Sequence, residues 1–131
     1  MPSNNRSQLT ETQNNKLIVD AYNANPSSMA AAIENFRLMA VKNKMAILGD
    51  MRELGDVTAE EHQKIVDLLL AAGITNVWLV GENFGKTVTT FKKFKDVEEV
   101  KAEIARCQPK NHYILIKGSN GTKLYELPEL L

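Results

Sequence analysis

Short apolar runs alternate with longer amphipathic segments along most of this chain. Four runs predict buried strands, at residues 17–19, 45–48, 77–80 and 113–116. Between them, apolar residues recur at helical spacing: Met29, Ile33, Phe36 and Ala40; Ile65, Leu68, Leu69 and Ala72; Val97, Val100, Ile104 and Cys107. Strands that alternate with amphipathic helices indicate parallel βαβ units. We therefore predict an α/β fold, with a Rossmann-like, doubly wound, mostly parallel sheet flanked by helices.

Local signals predict where some of these helices begin. Thr58 with Glu61 has the spacing of a capping box for the second long helix. Asp96 with Glu99 can cap the last one in the same way. A weaker helix is predicted over residues 83–90.

The first fifteen residues differ from the rest of the chain. They are polar, rich in Asn, Ser, Thr and Gln, and show no hydrophobic period. We interpret residues 1–15 as a linker and residues 16–131 as one domain, which suits a total length of 131 residues.

The overall charge is balanced, because sixteen basic residues offset sixteen acidic ones. Such a chain has no long-range field that would attract nucleic acid or an anionic membrane. The single cysteine, Cys107, cannot form an internal disulfide, which fits a reducing compartment. No apolar run approaches membrane-spanning length, and the N-terminus is not signal-like. We expect a cytoplasmic protein without nucleic-acid partners or membrane insertion.

In a parallel α/β sheet, ligands collect beyond the carboxyl ends of the strands. Asp20 ends a predicted buried strand, where a carboxylate is costly unless it is paired, and the hydroxyls of a ribose would suit it. Asn23 can donate and accept hydrogen bonds, as an adenine edge or a loop carbonyl requires. Alternatively, Asp20 and Asn25 satisfy only turn and helix-cap amides. The residues alone leave both alternatives open.

Two further segments follow predicted strands. The loop 49–55 contains Asp50 and Glu53, which suit a magnesium-bound water, a substrate ammonium or ion pairs within the loop. In residues 117–119, Lys117 stands beside a glycine, as phosphate or carboxylate recognition requires, although a solvated lysine is an equal alternative.

Residues 81–87 look like a phosphate-binding P-loop but have three residues between the glycines where the motif has four. We predict an ordinary strand-to-helix turn, so the chain has no ATP-phosphate cradle of its own. No set of residues has the spacing of metal ligands, and we interpret His62 as a surface or packing residue.

Three segments carry a resemblance to a known family: residues 20–29, residues 48–55 together with His62, and residues 117–119. These segments occur in the same order as in the C-terminal domain of the Mur ligases. The chain resembles in particular the UDP-N-acetylmuramoyl-tripeptide–D-alanyl-D-alanine ligases, over about residues 6–126. One departure is Asn120, where this family usually has arginine.

The resemblance implies the last domain of a three-domain, ATP-dependent amide-bond ligase of peptidoglycan precursor synthesis. Such an enzyme activates the UDP-N-acetylmuramoyl-tripeptide as an acyl phosphate, which the amine of D-alanyl-D-alanine attacks. The cofactor is ATP with Mg²⁺, held mainly by the central domain. The partners are the N-terminal and central domains of the same monomeric enzyme and the two substrates. Residues 1–15 would be the junction to the central domain, and the chain alone would be inactive.

The resemblance also assigns roles to single positions. It implies nucleotide-binding roles for Arg6, Asp20, Tyr22, Asn23 and Asn25. It implies substrate-binding roles for Asp50, Glu53, Lys117 and Ser119. It implies no self-contained catalytic residue and no metal ligand.

Two alternatives share the predicted architecture. Another Mur ligase or a folylpolyglutamate synthase relative is one, and the Asn-Ala-Asn-Pro run at residues 23–26 argues against it. A receiver-like phosphoacceptor module using Asp20, Asp50 and Lys117 is the other. Receivers need an acidic pair after the first strand, and Asp20 is followed by Ala21.

Overall fold

The structure, a computed structural model, describes residues 8–131. The strands are β1 (Gln8–Glu11), β2 (Lys16–Asp20), β3 (Lys44–Gly49), β4 (Val77–Val80), β5 (Lys92–Phe94) and β6 (Tyr113–Lys117). The helices are α1 (Pro26–Leu38), α2 (Thr58–Ala71), α3 (Glu82–Gly85) and α4 (Val97–Arg106). Short 3₁₀ turns cover Gly55–Val57, Asn120–Thr122, Leu124–Glu126 and Pro128–Leu130.

The strands form one sheet in the order β1-β2-β6-β3-β4-β5. Five strands run parallel to one another: β2, β6, β3, β4 and β5. Strand β1 pairs antiparallel with β2 at one edge. Helices α1, α2 and α3 cover one face, and α4 with the C-terminal turns covers the other. This arrangement confirms the predicted mostly parallel sheet flanked by helices.

Burial on both faces explains why the central strands are continuous apolar runs. Along β6, Ile114 and Ile116 pack in the cluster on the α4 face, and Leu115 packs in the cluster under α1 and α2. Successive side chains of a strand point to opposite faces. The next residue, Lys117, therefore lies on the same face as Leu115, and this decides its partner.

Helix starts agree with the predicted caps in some places and differ in another. Asn25 caps α1 with a capping box, and the Asp96 side chain accepts from the third amide of α4 as predicted. The predicted capping box between Thr58 and Glu61 is wrong. The turn Gly55–Val57 runs directly into α2, so Thr58 already has helical backbone angles (φ −52°, ψ −51°). An N-cap needs an extended backbone at that position.

The structure also differs from the expected linker, because Gln8–Glu11 form strand β1. Leu9 is 65% exposed and Thr10 and Glu11 are exposed as well, so this strand leaves no hydrophobic signal in the sequence. The buried Asn15 then donates from Nδ2 to the carbonyl oxygens of Pro109 (2.9 Å) and Leu131 (2.7 Å). The residues just before β2 are thus packed with the domain, and the boundary at residues 15 and 16 stays a prediction.

The region around β5 is less helical than expected. Helix α3 is a single turn, shorter than the predicted residues 83–90, and β5 was not predicted because its sequence is mostly lysine. Within residues 8–131, no helix combines the length and apolar character that crossing a membrane requires.

Candidate functional site

Two groups of predicted site residues lie beyond the carboxyl ends of the parallel strands. The first, called here the β2 loop, is residues 20–25. The second group lines a cleft of about 720 Å³ next to the ends of β3, β4 and β6. The residues that line this cleft include Asp50, Arg52, Glu53, Gly81, Glu82, Lys95, Asp96, Glu98, Ser119, Gly121 and Lys123.

An ion pair lies at the start of the β2 loop. The Lys117 ammonium is 2.5 Å from Oδ2 of Asp20, and it also donates to the carbonyl oxygen of Asn23 at 3.2 Å. Asp20 and Lys117 are register partners in the parallel strands β2 and β6, so the sheet brings them together. The Lys117 side chain is only 2% exposed and that of Asp20 is 13% exposed. Asp20 is therefore paired with a buried cation and does not serve only turn amides.

Lys117, to which the resemblance assigns a substrate-binding role, lies apart from the cleft. Strand alternation puts its side chain on the α1 face, and the residues that line the cleft do not include it. Its ammonium orders the β2 loop at two points, the carboxylate of Asp20 and the backbone of Asn23.

Of the other residues predicted to bind the nucleotide, Asn25 serves as a helix cap, whereas Tyr22 and Asn23 are exposed. Asn25 accepts from the amide of Ser28 at 2.9 Å, so its side chain is used as the helix cap. Tyr22 is 68% exposed and stacks on Tyr125, with ring centroids 6.0 Å apart and planes 5° apart. Asn23 is exposed and offers its side chain to solvent. Arg6 lies outside the described residues.

Asp50 holds the turn that resembles a P-loop. Its two carboxylate oxygens accept from the amides of Asn83 and Phe84, both at 2.9 Å, at the start of α3. Gly81 has φ +121°, and a Cβ there would overlap the Asp50 carboxylate. The amides that would face a phosphate in a P-loop are thus occupied by a carboxylate, and the predicted strand-to-helix turn is confirmed.

His62 holds the loop after β3, whereas the sequence indicated only a surface or packing residue. It is fully buried, and its Nε2 accepts from the amide of Met51 at 3.0 Å. Its Nδ1 lies 2.7 Å from the carbonyl oxygen of Thr58, so the partners assign the proton to Nδ1. The ring also meets Phe84 edge-on at 4.7 Å. His62 therefore fastens the loop after β3 to α2. Thr58 lies four residues before His62 on the same face of α2, and this spacing is the feature of the sequence that could have indicated their contact.

Glu53 and Ser119, to which the resemblance assigns substrate-binding roles, both line the cleft. Glu53 has φ +62° and is exposed. Ser119 is buried, and its amide donates to the carbonyl oxygen of Asp50 at 3.1 Å, which joins the loops after β3 and β6. Its Oγ has no hydrogen-bond partner among the described residues.

The described residues 8–131 contain no group of three or more His, Cys, Asp or Glu side chains placed to hold a metal ion. The site thus consists of a loop ordered by an ion pair and a neighbouring polar cleft, at the ligand-binding edge of a doubly wound sheet. This is the arrangement of a ligand-binding α/β domain.

The chain belongs to the Mur ligase, glutamate ligase domain family, whose pattern matches residues 5–120. A UDP-N-acetylmuramoyl-tripeptide–D-alanyl-D-alanine ligase of Rickettsia prowazekii is 39% identical over 126 residues, which cover 91% of this chain and 28% of the relative. The ligase of the same name from Bacillus subtilis is 34% identical over 93% of this chain and 29% of its own length. The chain thus spans less than a third of the curated relatives it matches.

Solved structures agree. A crystal structure of MurF from Acinetobacter baumannii matches with a TM-score of 0.79 and 27% identity, over 97% of this chain and 29% of that one. The MurF ligase of Thermotoga maritima, solved in complex with ADP, has the same fold, with a TM-score of 0.76 and 23% identity over 93% of this chain and 29% of that one. Membership of this family excludes the alternative of a receiver-like phosphoacceptor module.

Proposed function

We propose that this chain is the C-terminal domain of a cytoplasmic, ATP-dependent ligase that joins D-alanyl-D-alanine to UDP-N-acetylmuramoyl-tripeptide. The names of the relatives support this substrate pair. In this proposal residues 1–15 connect to a central domain, which binds the ATP phosphates with Mg²⁺. The domain described here closes over the nucleotide, excludes water from the acyl phosphate and brings the attacking amine into reach.

The observation that carries this division of labour is the occupied turn at the start of α3. Asp50 accepts from the amides of Asn83 and Phe84 there, so a phosphate at this helix start would meet a carboxylate in its place. A phosphate and a carboxylate at the same helix start would both be negatively charged and would repel each other strongly. The occupied turn therefore supports the assignment of the ATP phosphates to another part of the enzyme, with this chain contributing binding groups without catalysing the reaction alone.

The β2 loop is the proposed contact to the nucleotide sugar and base. Lys117 orients the Asp20 carboxylate, which has a second oxygen and remaining lone pairs for the two ribose hydroxyls. Tyr22 and Asn23 present an exposed ring and an exposed amide beside it. Asn25 acts through the helix cap that shapes the loop. The ADP bound by the Thermotoga maritima ligase supports an adenine nucleotide as the ligand.

The cleft is the proposed dipeptide side. Glu53 and Ser119 line it. The hydrogen bond from the Ser119 amide to the Asp50 carbonyl oxygen joins the two loops that carry them. Lys117 belongs to the nucleotide side in this proposal, because its ammonium is bound to Asp20.

Phosphate release by the complete enzyme tests the proposed reaction. Release should require ATP, the muramoyl tripeptide and D-alanyl-D-alanine together, and the 131-residue chain alone should release none. An enzyme that turns over with L-glutamate or a diamino acid in place of the dipeptide would assign the chain to another Mur ligase or to a folylpolyglutamate synthase relative.

A variant of Asp20 tests the nucleotide contact. Asp20→Asn keeps the size of the side chain but removes its charge, and it should raise the KM for ATP several-fold while kcat changes little. Asp67→Asn is the matched control, since Asp67 lies on α2 away from both groups and contacts Gln63. An unchanged KM for ATP in Asp20→Asn would show that the ion pair is structural only.

A further inference from the structure

We propose that Tyr125 is a positioning residue for the nucleotide: it stacks on one face of Tyr22 and holds that ring as a platform for the adenine base. The inference rests on the function proposed above, in which the β2 loop contacts the sugar and the base. Tyr125 lies in the 3₁₀ turn Leu124–Glu126, far from the β2 loop in sequence, and neither the sequence pattern nor the resemblance assigns it a role.

The two tyrosine rings lie parallel and offset. Their planes are 5° apart and their centroids 6.0 Å apart, which is the offset-stacked arrangement that aromatic pairs prefer. Among residues 8–131, no other aromatic ring stacks on Tyr22. Tyr22 is nevertheless 68% exposed, so the face of its ring away from Tyr125 is open. A flat base can stack on that open face.

The β2 loop is fixed at its backbone but not at the Tyr22 side chain. Ala21 is fully buried in the cluster on the α4 face, and Ala24 is 5% exposed in the cluster under α1 and α2. The Tyr22 side chain projects from this fixed backbone, and without a contact to its ring it would have several staggered rotamers available. The contact with Tyr125 therefore selects one orientation of the ring.

Tyr125 itself is held on both sides. Leu124 and Leu127 are fully buried in the cluster on the α4 face. Glu126 accepts a hydrogen bond from the ammonium of Lys101, on α4, at 2.7 Å. These neighbours fix the turn, and the half-exposed Tyr125 extends its ring to the β2 loop. The ring is therefore a fixed support, which is what a positioning residue requires.

An oriented Tyr22 ring favours binding of a base. Such a ring loses little conformational freedom when a ligand stacks on it, whereas a free side chain must be ordered at that moment. Removal of Tyr125 should therefore weaken nucleotide binding and leave the chemical step unchanged. The effect should pass entirely through Tyr22, because the base contacts the Tyr22 ring in this proposal.

Phosphate release by the complete ligase tests this role, with ATP varied and the other two substrates saturating. Tyr125→Leu keeps an apolar side chain but removes the ring, and it should raise the KM for ATP roughly two- to tenfold, the factor that an aromatic pair provides. The kcat should change by less than about twofold, because the lost contact does not act on the reacting atoms. Tyr125→Phe keeps the ring and should stay within about 1.5-fold of the unaltered KM.

A double variant separates support of the platform from direct contact with the nucleotide. Tyr22→Leu should raise the KM for ATP at least as much as Tyr125→Leu. The double variant should be no worse than Tyr22→Leu alone, because a support without its platform has no effect. Tyr113→Leu is the matched control: Tyr113 is the third tyrosine of the chain and begins β6 at the opposite end of the sheet, so its loss should leave the KM for ATP unchanged.

A KM for ATP that is unchanged in Tyr125→Leu but raised in Tyr22→Leu would overturn the positioning role while the β2 loop remained the nucleotide contact. Effects that multiply in the double variant would also overturn it, because Tyr125 would then act independently of Tyr22. An unchanged KM in both single variants and in Asp20→Asn would refute the nucleotide contact proposed above, and the platform would lose its ligand with it. Phosphate release that does not depend on the dipeptide would instead refute the ligase function.

Discussion

Lys117→Met is the substitution that tests the ion pair under the β2 loop most directly. Methionine is similar in length and can fill the space of the lysine stem, but it removes the only positive charge within 4.0 Å of the Asp20 carboxylate among residues 8–131. The hydrogen bond to the carbonyl oxygen of Asn23 is lost as well. The β2 loop then holds a mostly buried carboxylate without a partner.

The expected loss of stability follows from the burial of the two charges. Breaking a buried pair from one side costs about 3–5 kcal/mol, because the remaining charge stays desolvated. The Asp20 side chain retains 13% exposure, through which water can partly solvate it. We therefore expect the lower end of that range, about 3 kcal/mol, and a fall in melting temperature of roughly 10 °C.

Urea denaturation of the 131-residue chain measures this loss, with Asp20→Asn and the double variant completing a mutant cycle. The double variant should be more stable than the sum of the single effects predicts, by about 1–2 kcal/mol. Lys64→Met is the control, because Lys64 is exposed and pairs only with surface glutamates, so its loss should stay within about 0.5 kcal/mol. Additive single effects, or a loss below about 1 kcal/mol for Lys117→Met, would refute this account of the pair.

Three further predictions concern other contacts. Gly81→Ala should cost about 2 kcal/mol or more in urea denaturation, because φ +121° and the Asp50 carboxylate both exclude a Cβ; Gly85→Ala, with open space around it, should be neutral. His62→Phe should cost about 2 kcal/mol by the same assay, because two backbone groups lose their partner; an unchanged midpoint would contradict this. The Arg106 hydrogen bond, with help from Lys92, lowers the pKa of Glu103 to about 2 from an ordinary 4.5. Its stabilising effect should therefore be complete above pH 4.5 and disappear as the pH falls towards 2. A carboxyl NMR titration should show this, and Arg106→Gln should move the midpoint upward.

The sequence predicted the elements whose apolar pattern determines them. Strands β2, β3, β4 and β6 are continuous apolar runs, and α1, α2 and α4 each bury one stripe of side chains, so period and length sufficed. Strands β1 and β5 lie at the two edges of the sheet. Their exposed residues are Leu9, Thr10, Glu11, Lys92 and Lys93, and Phe94 is buried. No pattern of apolar residues distinguishes such a strand from a loop.

The site was predictable in its segments but not in its pairings. The sequence placed Asp20 and Lys117 each at the end of a strand, yet they are 97 residues apart. Their contact depends on β6 lying between β2 and β3, and the order of strands in a sheet is not written in any local pattern. The same holds for Asp50, whose partners are amides of a turn that looked like a phosphate site.

The order of strands also explains how one short segment serves two neighbouring sites. Lys117 is the last residue of β6 and points to the β2 loop, whereas Ser119 follows the strand and lines the cleft. Between them, a Cβ on Gly118 would come within 2.9 Å of the Cα of Gly49, so the segment is pressed against the end of β3 and cannot shift freely. A displacement of residues 117–119 would therefore move the support of the nucleotide-side carboxylate and the hydroxyl of the cleft together.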